Sequence, residues 1–224
     1  MNSEKKIRVF VLADDYWHPA EVIEKGLEDF REEDIQLSFI HDAKDMLTVE
    51  MLEACDVIMD CKCNQINSAN THSWFDPGVT EVGPRELEAF VRSGKGFLSV
   101  HSGNAFMKEN DCPEYIAFVG NYFITHPPRC EVRVSPVGEH PITQGTEPFT
   151  IRDEHYQLAV TADDALQILK TESETGGTQM GGYVRQMGQG RLCVLTPGHI
   201  LSVWQHPAYR RILARAIRWC AGRL

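Results

Sequence analysis

The chain has 224 residues, enough for one self-supporting α/β core, and it is acidic, with 22 Lys and Arg against 32 Asp and Glu. A net charge of −10 leaves no basic footprint for a nucleic-acid backbone or an anionic lipid surface, so neither nucleic acid nor membrane is an expected partner. Seven cysteines, an odd number, and an N-terminus without an apolar h-region point to reduced thiols in a cytoplasmic protein.

The first hundred residues alternate strand and helix. The apolar run Ile7 to Ala13 predicts a strand, and Ala20, Ile23, Leu27 and Phe30 mark one face of a helix from Pro19 to Phe30. A strand Ile35 to Ile40, a short helix Val49 to Ala54 and a strand Asp56 to Asp60 follow. Pro84 then opens a helix that stops at Ser93-Gly94 before the strand Gly96 to Val100. Repeated β-α-β units of this length imply right-handed crossovers and a parallel sheet with helices on both faces. From residue 120 to 196 the pattern changes to short strands, at 121–125, 130–134, 149–153, 166–169, 180–184 and 191–196, separated by turn residues such as Gly176-Gly177. These add antiparallel strands at one edge, and a final helix, Pro207 to Cys220, covers the sheet again. The expected architecture is a single doubly wound, mainly parallel sheet in one domain over residues 1–224. The segment 64–82, with Trp74, Pro77 and Gly78, has little periodicity and reads as a lid or a subunit contact; a homo-oligomer is expected.

Histidines stand where such a fold binds ligands. His101 sits at the apex of the turn Val100-His101-Ser102-Gly103, just past a buried strand, and loops at the carboxyl edge of a parallel sheet converge on ligands. His18, His126, His155 and His199 also follow apolar runs, so one composite site built from five strand ends is expected. A histidine before proline also serves a turn, because that position is pushed to extended backbone. His140 and His206 are read that way, and His18 and His126 remain open to either reading. Cys55, Cys193 and Cys220 lie in apolar runs as small core residues. Cys61-Lys62-Cys63 lacks the second pair that a structural zinc site needs, and also reads as packing.

Several motifs in order carry a family likeness: Tyr16-Trp17-His18-Pro19, Gly94 to Gly103 around His101, His126-Pro127-Pro128, His140-Pro141-Ile142-Thr143-Gln144-Gly145, Asp153-Glu154-His155-Tyr156, Gly188 to Leu195, and Pro197-Gly198-His199. With these the chain resembles the trehalose-utilisation ThuA-like family, a branch of the class I glutamine-amidotransferase-like, flavodoxin-like fold. The amidotransferases present a cysteine at the elbow in a G-x-C-x-G run, whereas here His101 takes that place. No glutaminase chemistry is expected, since an imidazole does not replace the thiolate that forms the acyl intermediate.

The resemblance implies a role in carbohydrate utilisation, beside dehydrogenases that oxidise disaccharides to 3-keto sugars. The chain itself has no G-x-G-x-x-G after its first strand, and Asp14 and Asp15 there would repel a pyrophosphate, so no nucleotide cofactor is expected. The family pattern keeps the acid pair and the tyrosine of Asp153-Glu154-His155-Tyr156, and an extended backbone there sends Glu154 and Tyr156 to one side together. His101, Glu154, Tyr156 and His199 are the catalytic candidates, and Asp14, Tyr16, Trp17, His18, Asn104 and His126 the substrate-binding ones. Two chemistries stay open, acid/base work near neutrality and a divalent metal, zinc or another, held by His101, Glu154 and His199. Two functions stay open as well. One is a lyase, isomerase or hydrolase acting on a 3-keto disaccharide or related sugar, and the other is a non-catalytic sugar-binding or accessory subunit.

Overall fold

The computed structural model describes residues 5–30, 32–67, 70–76, 78–107 and 112–224. The central sheet has nine strands. β1 (Ile7–Leu12), β2 (Ile35–Ile40), β3 (Val57–Asp60) and β6 (Gly96–Val100) form its parallel half with β13 (Gly190–Leu195), in the order β2-β1-β3-β6-β13. This is the flavodoxin-type order, and its direction reverses between β1 and β3, where ligands bind in open α/β sheets. Every residue of β3 and β6 is buried, as expected for strands covered on both faces.

The other half is antiparallel. β12 (Gly177–Met187), β11 (Leu166–Ser173), β8 (Cys130–Pro136) and β9 (Phe149–Asp153) continue from β13 in that order. β12 and β11 run several residues past the predicted limits, because pairing with β11 at one end and β13 at the other carries both ends of β12 into the ladder. Two small ribbons lie outside the sheet, β4 (Gln65–Asn67) with β5 (Asn70–Ser73), and β7 (Asn121–Thr125) with β10 (Gln157–Val160).

Helices cover both faces. α1 (Ala20–Leu27), α6 (Leu201–Trp204) and α7 (Pro207–Cys220) pack on one, where Ile23, Leu27, Trp204, Ile212 and Leu213 share a core with Val9, Val11 and Leu98. α3 (Val49–Ala54), α4 (Pro84–Arg92) and α5 (Pro113–Val119), with the short α2 (Ala43–Met46), lie over the other, with Leu52, Leu87, Phe90 and Phe118 packed on Ile58, Phe97 and Leu192. α4 starts as its sequence directs. Pro84 fills the first turn, where no amide partner is lost, and Glu86 Oε2 accepts the Gly83 N–H at 2.9 Å.

The segment 64–82, expected as a lid or a subunit contact, is packed in its second half. Trp74 is fully buried, stacks on Phe75 at 4.3 Å and donates its backbone N–H to Asn64 O, while Lys44 Nζ reaches Asp76 at 3.0 Å. Packing therefore fixes its second half against the body of the protein; residues 68, 69 and 77 lie outside the described ones. No helix among the described residues is long and apolar enough to cross a membrane.

Candidate functional site

The loops after β1, β6, β9 and β13 meet over the carboxyl edge of the parallel strands. β6 ends in a single 3-10 turn, His101–Asn104, and His101 takes φ +45°, a left-handed conformation that costs a β-carbon-bearing residue about 1 kcal/mol and aims its side chain off the strand end. Gly103 is required beside it. A β-carbon there would lie 2.4 Å from the backbone oxygen of Asp60. Gly198, at φ +149°, likewise leaves room for His101, since a β-carbon at 198 would lie 2.9 Å from that of His101.

Each histidine is oriented from behind. His101 is fully buried, and its Nδ1 donates to the carbonyl of Thr196 at 2.8 Å. His18 Nδ1 donates to Asp15, 2.8 Å from Oδ1 and 3.0 Å from Oδ2. His126 Nδ1 donates to the carbonyl of Pro127 at 2.8 Å. His199 is placed through its backbone, for Asp153 accepts the N–H groups of Gly198 and His199 at 2.8 and 3.0 Å. Because carbonyls and carboxylates only accept, the Nδ1 atoms of His18, His101 and His126 carry a proton, and in the neutral rings their Nε2 atoms are left with the lone pair.

Those lone pairs point inward. His18 Nε2, His101 Nε2 and His199 Nδ1 are buried and have no hydrogen-bond partner. Glu154 Oε2 lies 3.5 Å from His101 Nε2, 3.2 Å from His199 Nδ1 and 3.6 Å from His126 Nε2. One ligand atom from each of His18, His101, Glu154 and His199 falls within 4.8 Å of all the others. Four electron-rich atoms facing one another repel unless positive charge sits among them. Burial raises the Glu154 pKa, but the His101, His199 and His126 imidazoles outweigh it and hold the carboxyl at about 2. His199 is pushed down to about 4 by burial and by the neighbouring His101. Burial also opposes a proton on His101, yet Glu154 and Asp153 outweigh it and raise its affinity above the ordinary value.

A cavity of about 580 Å³ opens beside the cluster, walled by Trp17, His18, Cys63, Asn64, Gln65, Ala105, Met107, Phe123, His126, Glu154, Tyr156 and His199. Tyr156 lies against His101 at 4.0 Å between ring centroids and against His126 at 5.7 Å, and Trp17 is 63% exposed at the mouth. The structure thus gathers His18, His101, His126, Glu154, Tyr156, His199 and Trp17.

Asp14, Tyr16 and Asn104 are not among the cavity's residues. Asp14 sits at φ +73° and accepts the Ala20 N–H at the start of α1; Tyr16 packs edge-on against Trp17 at 4.5 Å. Asn104 is enclosed, with hydrogen bonds to Ser99, Asn121 and the Leu195 carbonyl that leave no face for a ligand. His155 also leaves the group of five. Alternation along the chain turns it from Glu154, and its Nδ1 meets Ser173 Oγ at 2.6 Å.

Sequence reasoning missed Asp15, Thr196 and the backbone role of Asp153, along with the wall residues Asn64, Gln65, Ala105, Met107 and Phe123, and it read Cys63, also in the wall, as packing. The paired acids Asp14-Asp15 were the one available signal, and only the backbone turn decides which of them faces inward.

A family model described as trehalose utilisation, ThuA, matches residues 8–220. No curated protein matches the chain. Among solved structures, a ThuA-like protein from Bacteroides uniformis ATCC 8492 is similar over 98% of this chain and 94% of its own, at 16% identity and a TM-score of 0.72. One from Parabacteroides merdae ATCC 43184 is similar over 97% and 90%, at 14% identity and a TM-score of 0.73. A β-galactosidase from Rahnella sp. R3 shares the fold over 94% of this chain and 31% of its own, at 12% identity and a TM-score of 0.65. With 213 consecutive positions matched from the first strand to the end of the last helix, the chain belongs to the ThuA, or trehalose-utilisation, family.

Proposed function

We propose that the protein is an enzyme of carbohydrate utilisation that acts on a 3-keto disaccharide or related sugar, with a divalent metal, zinc by preference, held by His18, His101, Glu154 and His199. The observation that carries this reading is the convergence of three unpartnered histidine nitrogens on Glu154 beside an open cavity. Imidazoles and one carboxylate suit zinc, and histidines anchored by outer acceptors are the usual support of such a site. A bound metal would polarise a sugar carbonyl as a Lewis acid.

The chain's own groups supply the rest. A keto group acidifies the adjacent C–H bonds, so enolisation, epimerisation or elimination of a glycosidic oxygen needs a group that takes a proton and one that returns it. His126, which is outside the four-residue ligand set, lines the cavity wall for that work. Tyr156 holds the His101 and His126 rings in place, and Trp17 offers an exposed aromatic face to a sugar ring at the mouth.

The test is exchange of the α-proton of 3-keto disaccharides in deuterated water, followed by NMR. The wild type should exchange it, and His101→Ala should slow the exchange by roughly 10²–10⁴. His140→Ala should leave the rate standing, since His140 accepts the Ile142 N–H in a surface turn. A protein that binds unoxidised disaccharides, and gives neither exchange nor bond cleavage with any 3-keto sugar, is a binding module and ends the enzyme reading.

A further inference from the structure

We infer that Asp15 is a positioning residue of this centre, fixing the tautomer of His18 and so setting the affinity for metal. The inference rests on the metal reading above.

Asp15 is fully buried in the turn after β1 and has no solvent to share its charge. Its two oxygens are saturated by protein donors. Oδ1 accepts the backbone N–H of Trp17 at 2.7 Å and of His18 at 2.8 Å, and Oδ2 accepts the N–H of Cys63 at 2.8 Å from the loop after β3. His18 Nδ1 completes the set, 2.8 Å from Oδ1 and 3.0 Å from Oδ2. One side chain thereby braces the loops of two adjacent strands at the point where the sheet order reverses. Both loops contribute to the cavity wall, through Trp17 and His18 on one side and Cys63 and Asn64 on the other.

The consequence for His18 follows from donor counting. A carboxylate only accepts, so His18 Nδ1 must carry a proton, and in the neutral ring that ligates a metal Nε2 faces the cluster as the lone pair. An amide in the same place cannot serve all four donors. Its NH₂ must replace one oxygen; facing Cys63 N–H it opposes donor to donor, and facing His18 Nδ1 it donates and moves the ring proton to Nε2, where it blocks a metal. Carboxylates behind ligating histidines typically change metal affinity 10–100-fold when removed.

The experiment compares wild type with Asp15→Asn. Zinc and cobalt(II) affinities are measured by competition with a chromophoric chelator, and the cobalt(II) visible spectrum is recorded as a second readout. Loss of 10-fold or more in affinity, with an altered cobalt spectrum in a variant that remains folded, is the expected result. Affinity within about threefold of wild type in a folded variant overturns the inference. Long-range ¹H–¹⁵N NMR of the wild-type His18 ring needs no variant and covers the case in which Asp15→Asn does not fold. A protonated Nδ1 with a bare Nε2 supports the role, and the opposite tautomer refutes it. A wild type that takes up neither metal ends the metal reading, and with it the affinity claim, while the NMR result still decides whether Asp15 sets the tautomer.

Discussion

The hydroxyl of Tyr115 lies 2.5 Å from Asp60 Oδ2 and 2.9 Å from the carbonyl of Gly103, deep under the elbow that carries His101. A phenol has one proton to give, so both contacts are satisfied when Tyr115 donates to Gly103 and a protonated Asp60 donates to Tyr115. Burial agrees, pushing Asp60 up to about 7 against the opposing effect of Lys62.

A pH dependence of stability follows from this pair. The folded pKa is raised above the roughly 3.9 of an unfolded aspartate, so the folded state keeps a proton that the unfolded state releases. Stability from this group is full below about pH 4 and is lost as pH rises to 7, by about 1.4 kcal/mol per pH unit. Asp60→Asn mimics the protonated acid and removes that slope. Urea unfolding should show the variant gaining on wild type by about 2–3 kcal/mol between pH 5 and pH 8. An equal difference at both pH values would show that Asp60 does not hold its proton.

Metal should stabilise the folded protein. At a free concentration a hundred times Kd, a ligand that binds the native state alone adds about 3 kcal/mol. Zinc added to chelator-treated protein should therefore raise Tm by several degrees, and neither His101→Ala nor Glu154→Gln should respond. Indifference of the wild type to zinc, manganese and EDTA would remove the metal from the centre.

The elbow tolerates no larger residue at 103. A β-carbon there would meet the Asp60 carbonyl oxygen at 2.4 Å and Ser99 Oγ at 2.7 Å. Gly103→Ala should cost about 1–3 kcal/mol in chemical unfolding, because the close atom on β3 is backbone and cannot rotate away. It should also shift His101 and weaken metal uptake. Wild-type stability in this variant would mean that the β3 and β6 ends are looser than their contact implies.

Cys63 borders the cavity and yet is a poor nucleophile. Burial, then the Asp15 carboxylate, push its thiol well above the ordinary range, and the thiolate is the reactive form. Native protein at pH 8 should be alkylated at Cys63 by iodoacetamide at least about tenfold more slowly than a free peptide cysteine, read by site-resolved mass spectrometry. Rapid labelling would give the C-x-C pair a chemical role.

The sequence by itself determined the parallel half of the sheet. β2, β6 and α3 fall at the predicted residues, and β1 and β3 within one, because strands buried on both faces are continuous apolar runs and the helices between them carry their own start and stop signals. α5 was not legible, since Pro113 is followed by an apolar run that suits strand and helix alike, and β10 is defined only by its pairing with β7. The histidines after strands 1, 6 and 13 were legible as site candidates because the carboxyl edge of such a sheet is where loops converge. Which acid contacts them was decided by tertiary structure alone. Asp14 and Asp15 are the same residue type in adjacent positions, and a backbone turn at φ +73° ties one to the start of α1 and the other to His18 and Cys63. The inward lone pairs have the same origin, for they are set by acceptors that the fold brings from as far as 95 residues away, as Thr196 is brought to His101.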